Sequence, residues 1–536
     1  MPSQRSHANV ILQGFIHVSS QKGSILMNRF SARILLLIFP SLWGHPLWAQ
    51  SSAAHLTAAK AASKSSVAKV APGGRQQLFG SIPVATRSEE ARKLVEISLD
   101  KYENHIVDGA LANARNAIHR DPQFALGYAA LSLASLGSIP DSAALGRAKA
   151  LLPHATPDEQ LLIRWMTSIS DRDLLPAITA MNDLLKRYPD NKHVLYIIAD
   201  WLYFQQDYDR SRQMLETVHR LDPDFPPALN LLGYAYMETG TPDPEKAIAS
   251  LQRYAEVQPK SPNPQDSLGE IFRLSGDDQS SLEHYSAALN IDPTYISSHY
   301  GLGDTSALMG NYLRARAEYD DAIAIANNQR DRSHSEFQKA LVCFWEGQPT
   351  EGRQALDVLN EKARRQKEPY SQFEIGFGRA MLAGDPALEL EHLRSLEIWL
   401  QSPSEGLSEA DRDNFRAQVL RERARISAAR GELALAEASV RKLELLADQS
   451  RDLLVSNSFE SARGYVLAAK GDFAAAVDAL AADPRSLFAL DQLADAQEKL
   501  GNATAAEATR TRIKYLRAPT VDWYLLTAGR ATEPTS

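Results

Sequence analysis

Cysteine is nearly absent from this chain of 536 residues, which contains only Cys343. A single thiol cannot form an intramolecular disulfide, and it cannot build a metal site from clustered cysteines. Catalytic motifs are missing as well: the sequence has no His-Glu-x-x-His zinc motif, no Gly-x-Ser-x-Gly elbow, no phosphate-binding loop and no Ca²⁺ loop. Four central histidines show no ligand spacing, namely His193, His219, His284 and His299. We therefore predict a protein without enzymatic activity, cofactor or bound metal.

Acidic side chains are missing from residues 1–87, which contain nine Lys or Arg residues. Because the whole chain has 58 basic and 66 acidic residues, the remainder has 49 basic residues against 66 acidic ones, a net charge of −17. An acidic body repels phosphate backbones, and this one has no basic stripe with interleaved aromatic residues. Nucleic acid is therefore not expected as a partner.

The N-terminal region lacks a run of the ~20 apolar residues that a membrane-spanning helix needs. Its apolar run at residues 34–39 follows two arginines and ends at Pro40, an order that is typical of a secretory signal. We predict that residues 27–49 form a signal peptide cleaved after Ala49, with cleavage after Ala53 as the alternative. Cleavage would leave no stable membrane anchor, and we expect the mature chain in the periplasm or outside the cell.

Two segments flank this predicted signal. Residues 1–26 have none of its features, and we predict that translation starts at Met27. No cysteine follows the signal until Cys343, which excludes a lipid-anchored lipoprotein. Residues 50–87 are rich in Ala, Ser, Lys and Gly, and we expect a flexible basic linker there.

Prolines recur at a nearly constant interval in the middle of the chain. Each follows an Asp, Tyr or Gln at the end of an amphipathic run, at Pro189, Pro223, Pro259 and Pro293. The intervals are 34, 36 and 34 residues, and such a period predicts a repeat architecture. Because the residue before a proline disfavours the α conformation, each proline is expected to mark the end of a helix.

Small residues and turn residues also return once in each period. A paired helix can approach closely where the first helix of a unit has a small residue. Such residues stand at Ala199, Gly233, Gly269 and Gly303. A glycine followed by a capping side chain predicts the turn between two helices. These turns are expected at Gly276-Asp277, Gly310-Asn311 and Gly471-Asp472.

This pattern resembles the tetratricopeptide repeat, in which each unit pairs two antiparallel helices. The resemblance implies an all-α fold, a right-handed superhelical solenoid of about twelve helix pairs. It predicts a regular array over residues 88–329, degenerate repeats over residues 330–516 and a tail at residues 517–536. Longer spacings near residues 328–336 and 401–411 leave open a division into two segments. The apolar part of the tail is expected either to cap the open end of the solenoid or to act as a docking peptide.

In this family the first helix of each unit lines a concave surface, and fixed positions on that helix face a ligand. Carried onto this chain, those positions are His193, Tyr196, Asp200, Tyr203, Phe204, Asn230, Tyr234, Met237, Asp266, Glu270, Arg273, Tyr300 and Asp304. The lysine and asparagine of a carboxylate clamp are replaced by Tyr196 and Asp200, so that clamp is absent. The aromatic and acidic lining implies a protein or peptide partner with basic and apolar groups. Packing of the tyrosines between units is the alternative interpretation.

These features favour a non-enzymatic scaffold for protein–protein interactions, located in the cell envelope or outside the cell. Two alternatives stay open. A solute-binding protein for glycans or peptides is the first, although the chain lacks the lipobox cysteine and the long inserted loops of such proteins. An enzyme with its site in residues 330–516 is the second, and a deep polar pocket there would support it.

Overall fold

The computed structural model describes residues 76–136, 141–171, 173–238, 240–450 and 452–531, and these residues belong to one compact unit. The predicted start at Met27, the signal peptide and most of the predicted linker lie outside the described residues. No helix within these ranges is both long enough and apolar enough to span a membrane.

The described residues form 25 α-helices, one 3₁₀ turn at Leu152–His154 and a two-stranded hairpin. The helices are α1 (Glu89–Glu103), α2 (Val107–Arg120), α3 (Ala125–Ala134), α4 (Ser142–Leu151), α5 (Pro157–Ser170), α6 (Leu174–Arg187), α7 (Lys192–Phe204), α8 (Tyr208–Leu221), α9 (Pro226–Glu238), α10 (Pro244–Val257), α11 (Asn263–Ser275), α12 (Asp278–Ile291), α13 (Ile296–Leu308), α14 (Tyr312–Ile325), α15 (Gln329–Trp345), α16 (Pro349–Gln366), α17 (Pro369–Met381), α18 (Pro386–Trp399), α19 (Glu409–Ala429), α20 (Leu433–Ser450), α21 (Leu453–Ala469), α22 (Phe473–Leu480), α23 (Leu487–Lys499), α24 (Ala503–Lys514) and α25 (Val521–Ala531).

Within the described part of the chain, the first 24 helices pack as twelve consecutive pairs, from α1 with α2 to α23 with α24. Helix α25 follows as a single terminal helix. The all-α solenoid predicted from the sequence is confirmed.

Glycine and a capping side chain form the predicted turn between paired helices. Helix α11 ends at Gly276, whose φ of 84° lies in the left-handed region. The next residue, Asp277, starts α12 by accepting a hydrogen bond from the Ser280 amide at 3.1 Å. A side-chain cap of this kind stabilises a helix by about 1 kcal/mol. The same arrangement recurs at Gly310-Asn311 and Gly471-Asp472.

The small residues of the first helices make room for large residues of the second helices. A Cβ atom at Gly233 would lie 2.6 Å from the Leu251 Cγ, and one at Gly303 would lie 2.6 Å from the Tyr319 Cε1. Leu251 and Tyr319 are both buried. Two helices therefore pack at this distance only because the first one has no side chain at the contact.

Residues 76–88 differ from the flexible linker predicted for their segment. The strands β1 (Gln77–Leu78) and β2 (Ile82–Pro83) pair antiparallel, and Leu78 and Ile82 are fully buried. Two hydrogen bonds join this hairpin region to α5: the Ala85 amide donates to the Glu159 Oε2 at 2.7 Å, and the Thr156 hydroxyl donates to the Pro83 carbonyl at 2.5 Å. The hairpin is thus packed against the third helix pair, a long-range contact that composition does not indicate.

The solenoid returns to contact itself after six to seven helix pairs. Asn457 in the eleventh pair donates to the Gln206 Oε1 in the fourth pair at 2.8 Å. Arg485 lies 3.3 Å from the Glu238 carboxylate in the fifth pair, and Arg517 forms an ion pair with Asp278 in the sixth pair. We call this polar contact between distant pairs the seam.

Helix α25 packs against the first helices of the later pairs. Val521 and Leu526 belong to the apolar core of residues 337–526, and Tyr524 contacts the rings of Phe344 and Trp345 at centroid distances of 5.7 and 5.3 Å. The apolar part of the tail therefore folds back onto its own solenoid.

Candidate functional site

The thirteen residues predicted to face a partner lie on α7, α9, α11 and α13, the first helices of four successive pairs. We call the surface that they form the first-helix face. Ten of the thirteen are buried, and only His193, Phe204 and Asp304 are half-buried. Their contact with a partner stays a prediction, because the bonds visible in the structure are made within the chain.

Hydrogen bonds connect neighbouring first helices across this face. The Tyr234 hydroxyl lies 3.1 Å from the Ser267 hydroxyl and 3.0 Å from the Glu270 Oε2. The Ser267 hydroxyl donates to the Asn230 Oδ1 at 3.0 Å, and the Ser298 hydroxyl donates to the Asp266 Oδ1 at 2.6 Å. The polar side chains of the face thus also bond neighbouring repeat units to one another. Packing of the tyrosines between units was the alternative interpretation of the sequence.

The N-terminal end of the face is covered by the hairpin and by the end of α1. Phe79 stacks on His193 with ring centroids 4.0 Å apart. Glu103 joins two of the predicted residues: its carboxylate lies 2.9 Å from the His193 Nδ1, and its carbonyl accepts a hydrogen bond from Tyr196 at 2.9 Å.

Tyr102 and His105 enclose Asp200 at the same end. Tyr102 is hydrogen-bonded to Asp200, and the His105 Nε2 lies 3.8 Å from the Asp200 Oδ1. Burial, helped by the neighbouring Glu103, raises the pKa of Asp200 to about 8, and burial lowers the pKa of His105 to about 4. Both groups are therefore neutral at pH 7.

Carboxylates outnumber cations on the first-helix face. The predicted residues include four acids, Asp200, Asp266, Glu270 and Asp304, and one guanidinium, that of Arg273. Burial raises the pKa of Asp266 to about 7 and also raises the pKa of Asp304. The guanidinium of Arg273 is shared between two partners, because it lies 3.3 Å from Glu270 and donates to the Arg517 carbonyl at 2.6 Å. Among the thirteen predicted residues, acidic groups therefore outnumber Lys and Arg residues by four to one.

A second charged cluster lies in the later repeats, around α19. The Glu422 carboxylate lies 2.9 Å from the Arg421 Nε and 2.6 Å from the Arg425 Nε. Arg421 also lies 3.4 Å from Asp483, and both arginines face Asp522 of α25. These opposite charges pair with one another and fasten the terminal helix, which favours a structural role for the cluster.

Sequence reasoning missed Phe79, Tyr102, Glu103 and His105. The ligand positions of the repeat were carried onto α7, α9, α11 and α13, whereas Phe79 precedes α1 and the other three residues lie at or just after its C-terminal end. The hydrogen bonds of Glu103 join residues 90 and 93 positions apart, so a local period of 34 residues cannot indicate them.

Two family models match this sequence. A tetratricopeptide repeat model matches residues 198–264, and a TPR repeat model matches residues 269–310. The repeat family recognised from the sequence is thereby confirmed. Repeats of this kind generally mediate protein–protein interactions through extended concave surfaces. No curated protein matches the sequence.

Several solved structures resemble parts of the chain. The MamA protein is 22% identical, with 33% of this chain and 93% of that chain covered and a TM-score of 0.28. A tetratricopeptide repeat protein from Parabacteroides merdae is 14% identical, with 51% and 93% covered and a TM-score of 0.33. PilW, a type IV pilus biogenesis factor, is 14% identical, with 37% and 89% covered and a TM-score of 0.33.

Proposed function

Because this chain is a protein of tetratricopeptide repeats, we propose that it is a non-enzymatic scaffold that binds a protein or peptide through the first-helix face. The partner brings basic groups together with apolar or aromatic side chains. The predicted signal at residues 27–49 assigns this activity to the cell envelope or the outside of the cell.

The observation that carries this proposal is the unbalanced charge of the first-helix face. Burial raises the pKa of Asp266 to about 7 and also raises the pKa of Asp304, and Arg273 is the only Lys or Arg among the thirteen predicted residues. A lysine or arginine from a partner would favour the ionised carboxylates and form charge-assisted hydrogen bonds with them. Binding would then release a proton from Asp266 near neutral pH.

The position of α25 supports the apolar part of the proposal. This helix lays Val521, Tyr524 and Leu526 against the first helices of the later pairs. First-helix surfaces of this chain can therefore accommodate an amphipathic helix, one of the recurring modes of peptide recognition.

An affinity series tests the proposal. The partner is first captured by crosslinking from the native cell envelope and then titrated, in purified form, against a variant carrying Asp266→Asn, Glu270→Gln and Asp304→Asn. These changes keep the size of each side chain but remove its charge, and we expect at least a tenfold loss of affinity.

The matched control is Asp320→Asn, which removes an exposed carboxylate on the second helix of a pair. It should leave the affinity unchanged. Equal binding by the triple amide variant and the unaltered chain would refute the first-helix face as the site.

The solute-binding protein and the enzyme with a site in residues 330–516 are the other candidate functions. The buried charged cluster of that region pairs Glu422 with two arginines, and its Asp483 accepts from the Ser461 hydroxyl at 2.7 Å. Carboxylates engaged in this way are poor proton acceptors for a substrate, which makes the scaffold the better-supported proposal.

A further inference from the structure

His299 is part of α13, and its side chain contacts the second helix of the same pair, α14. Its Nδ1 lies 3.0 Å from the Glu318 Oε2. Asp321 follows Glu318 by three residues, so both carboxylates project from one face of α14. One ligand atom from each of the three residues lies within 4.8 Å of the other two.

We propose that His299, Glu318 and Asp321 form a binding site for a divalent transition-metal ion of the Zn²⁺ type. Zn²⁺ binds imidazole nitrogen and carboxylate oxygen at about 2.0–2.2 Å, so two ligand atoms on one ion lie about 3 to 3.5 Å apart. The separation of 3.0 Å between His299 and Glu318 already meets this condition. Asp321 is exposed, and a rotation of its side chain would bring its oxygen to the same distance.

The other nitrogen of His299 holds the ring in the orientation that a metal ligand needs. Nε2 lies 3.3 Å from the Pro293 carbonyl, which can only accept a hydrogen bond, so Nε2 must donate. A donated bond of this kind to a carbonyl is usual for a metal-binding histidine, and it points Nδ1 toward the carboxylates, where a bound metal ion would replace the proton that Nδ1 donates to Glu318. His299 is 9% exposed, so surrounding side chains also restrain the ring.

The neighbouring cations pair with other oxygen atoms and leave the metal site accessible. The Arg314 Nε lies 3.6 Å from the Oε1 of Glu318, whereas His299 contacts Oε2. Lys339 pairs with Asp320, the neighbour of Asp321. One imidazole with two carboxylates suits Zn²⁺ or Co²⁺ better than Mg²⁺ or Ca²⁺, which prefer oxygen ligands only.

Metal titration of the full chain tests this site. Zn²⁺ binding is measured by equilibrium dialysis, and Co²⁺ binding is followed by its visible absorption. We expect His299→Gln to lower the number of bound Zn²⁺ ions by one per chain. Asp321→Asn changes an exposed side chain, and it should weaken the same site at least tenfold.

Asp320→Asn is the matched control, since it removes the adjacent carboxylate that faces Lys339. Its Zn²⁺ affinity should equal that of the unaltered chain. The proposal is overturned if Asp321→Asn and Asp320→Asn bind Zn²⁺ equally, or if the unaltered chain binds no more Zn²⁺ than His299→Gln.

Discussion

Gly301→Ala will destabilise the chain by about 3 kcal/mol, at the upper end of the usual cost of overpacking. A Cβ atom at position 301 would lie 2.1 Å from the Cζ of Tyr285. The ring cannot retreat, because Gly269 approaches it as well: a Cβ there would lie 2.8 Å from the Tyr285 Cγ. Tyr285 is 3% exposed, so the backbone of α13 would have to move away from α12. The urea midpoint, followed by circular dichroism, measures this loss.

Gly146→Ala is the matched control for this substitution. Gly146 also lies inside a helix, α4, but it is exposed, and a Cβ there would meet nothing within 4 Å. Alanine has the higher helix propensity, so this change should stabilise by up to about 1 kcal/mol. Equal midpoints for the two variants would show that the glycines are not required for the close approach of the helix pairs.

Asp200→Asn will stabilise the chain at pH 8 by an amount on the order of 5 kcal/mol. The pKa of Asp200 rises from its ordinary value of 3.8 to about 8 on folding. Between these two pH values the folded state binds one more proton than the unfolded state, so this group makes stability fall as pH rises. Asparagine does not titrate, and it can keep the hydrogen bond to Tyr102.

The measurement is a set of urea midpoints between pH 4 and pH 9. The two curves should meet near pH 4 and diverge steadily up to pH 8, where Asp200 ionises in the folded chain. Parallel curves for the variant and the unaltered chain would mean that Asp200 is not held protonated by its burial against α1.

The helix pairs were predictable because each unit repeats the same local sequence signals. The prolines fix where second helices end, and Gly233, Gly269 and Gly303 mark where paired helices touch. Both signals act within a period of about 34 residues, which the sequence displays directly. The turn at Gly276-Asp277 follows from the same local chemistry, since glycine adopts positive φ and the carboxylate caps the next helix.

Contacts between distant units were not predictable from this period. The seam joins Asn457 to Gln206 and Arg517 to Asp278, pairs that are 251 and 239 residues apart. The contacts of Tyr102 and His105 with Asp200 have the same origin, and so does the packing of α25 against the later pairs. These contacts depend on the small rotation between successive units, summed over three to seven pairs, and no single residue encodes that sum.

The burial of the first-helix face was not predictable from the repeat template. Family positions place the thirteen predicted residues on α7, α9, α11 and α13, and their contact with a partner stays a prediction. The template gives no information on the segment that packs over that face. The cluster of His299, Glu318 and Asp321 was not predicted for another reason. Its carboxylates lie 19 and 22 residues after His299, on the second helix of the same pair, outside any local metal motif.

Hydrogen–deuterium exchange of the chain, alone and with its purified partner, tests the central claim most directly. The scaffold account predicts that the partner slows amide exchange in residues 192–204, 226–238, 263–275 and 296–308, the four helices of the first-helix face. Slowed exchange confined to the second helices of the pairs, or to residues 330–531, would contradict it.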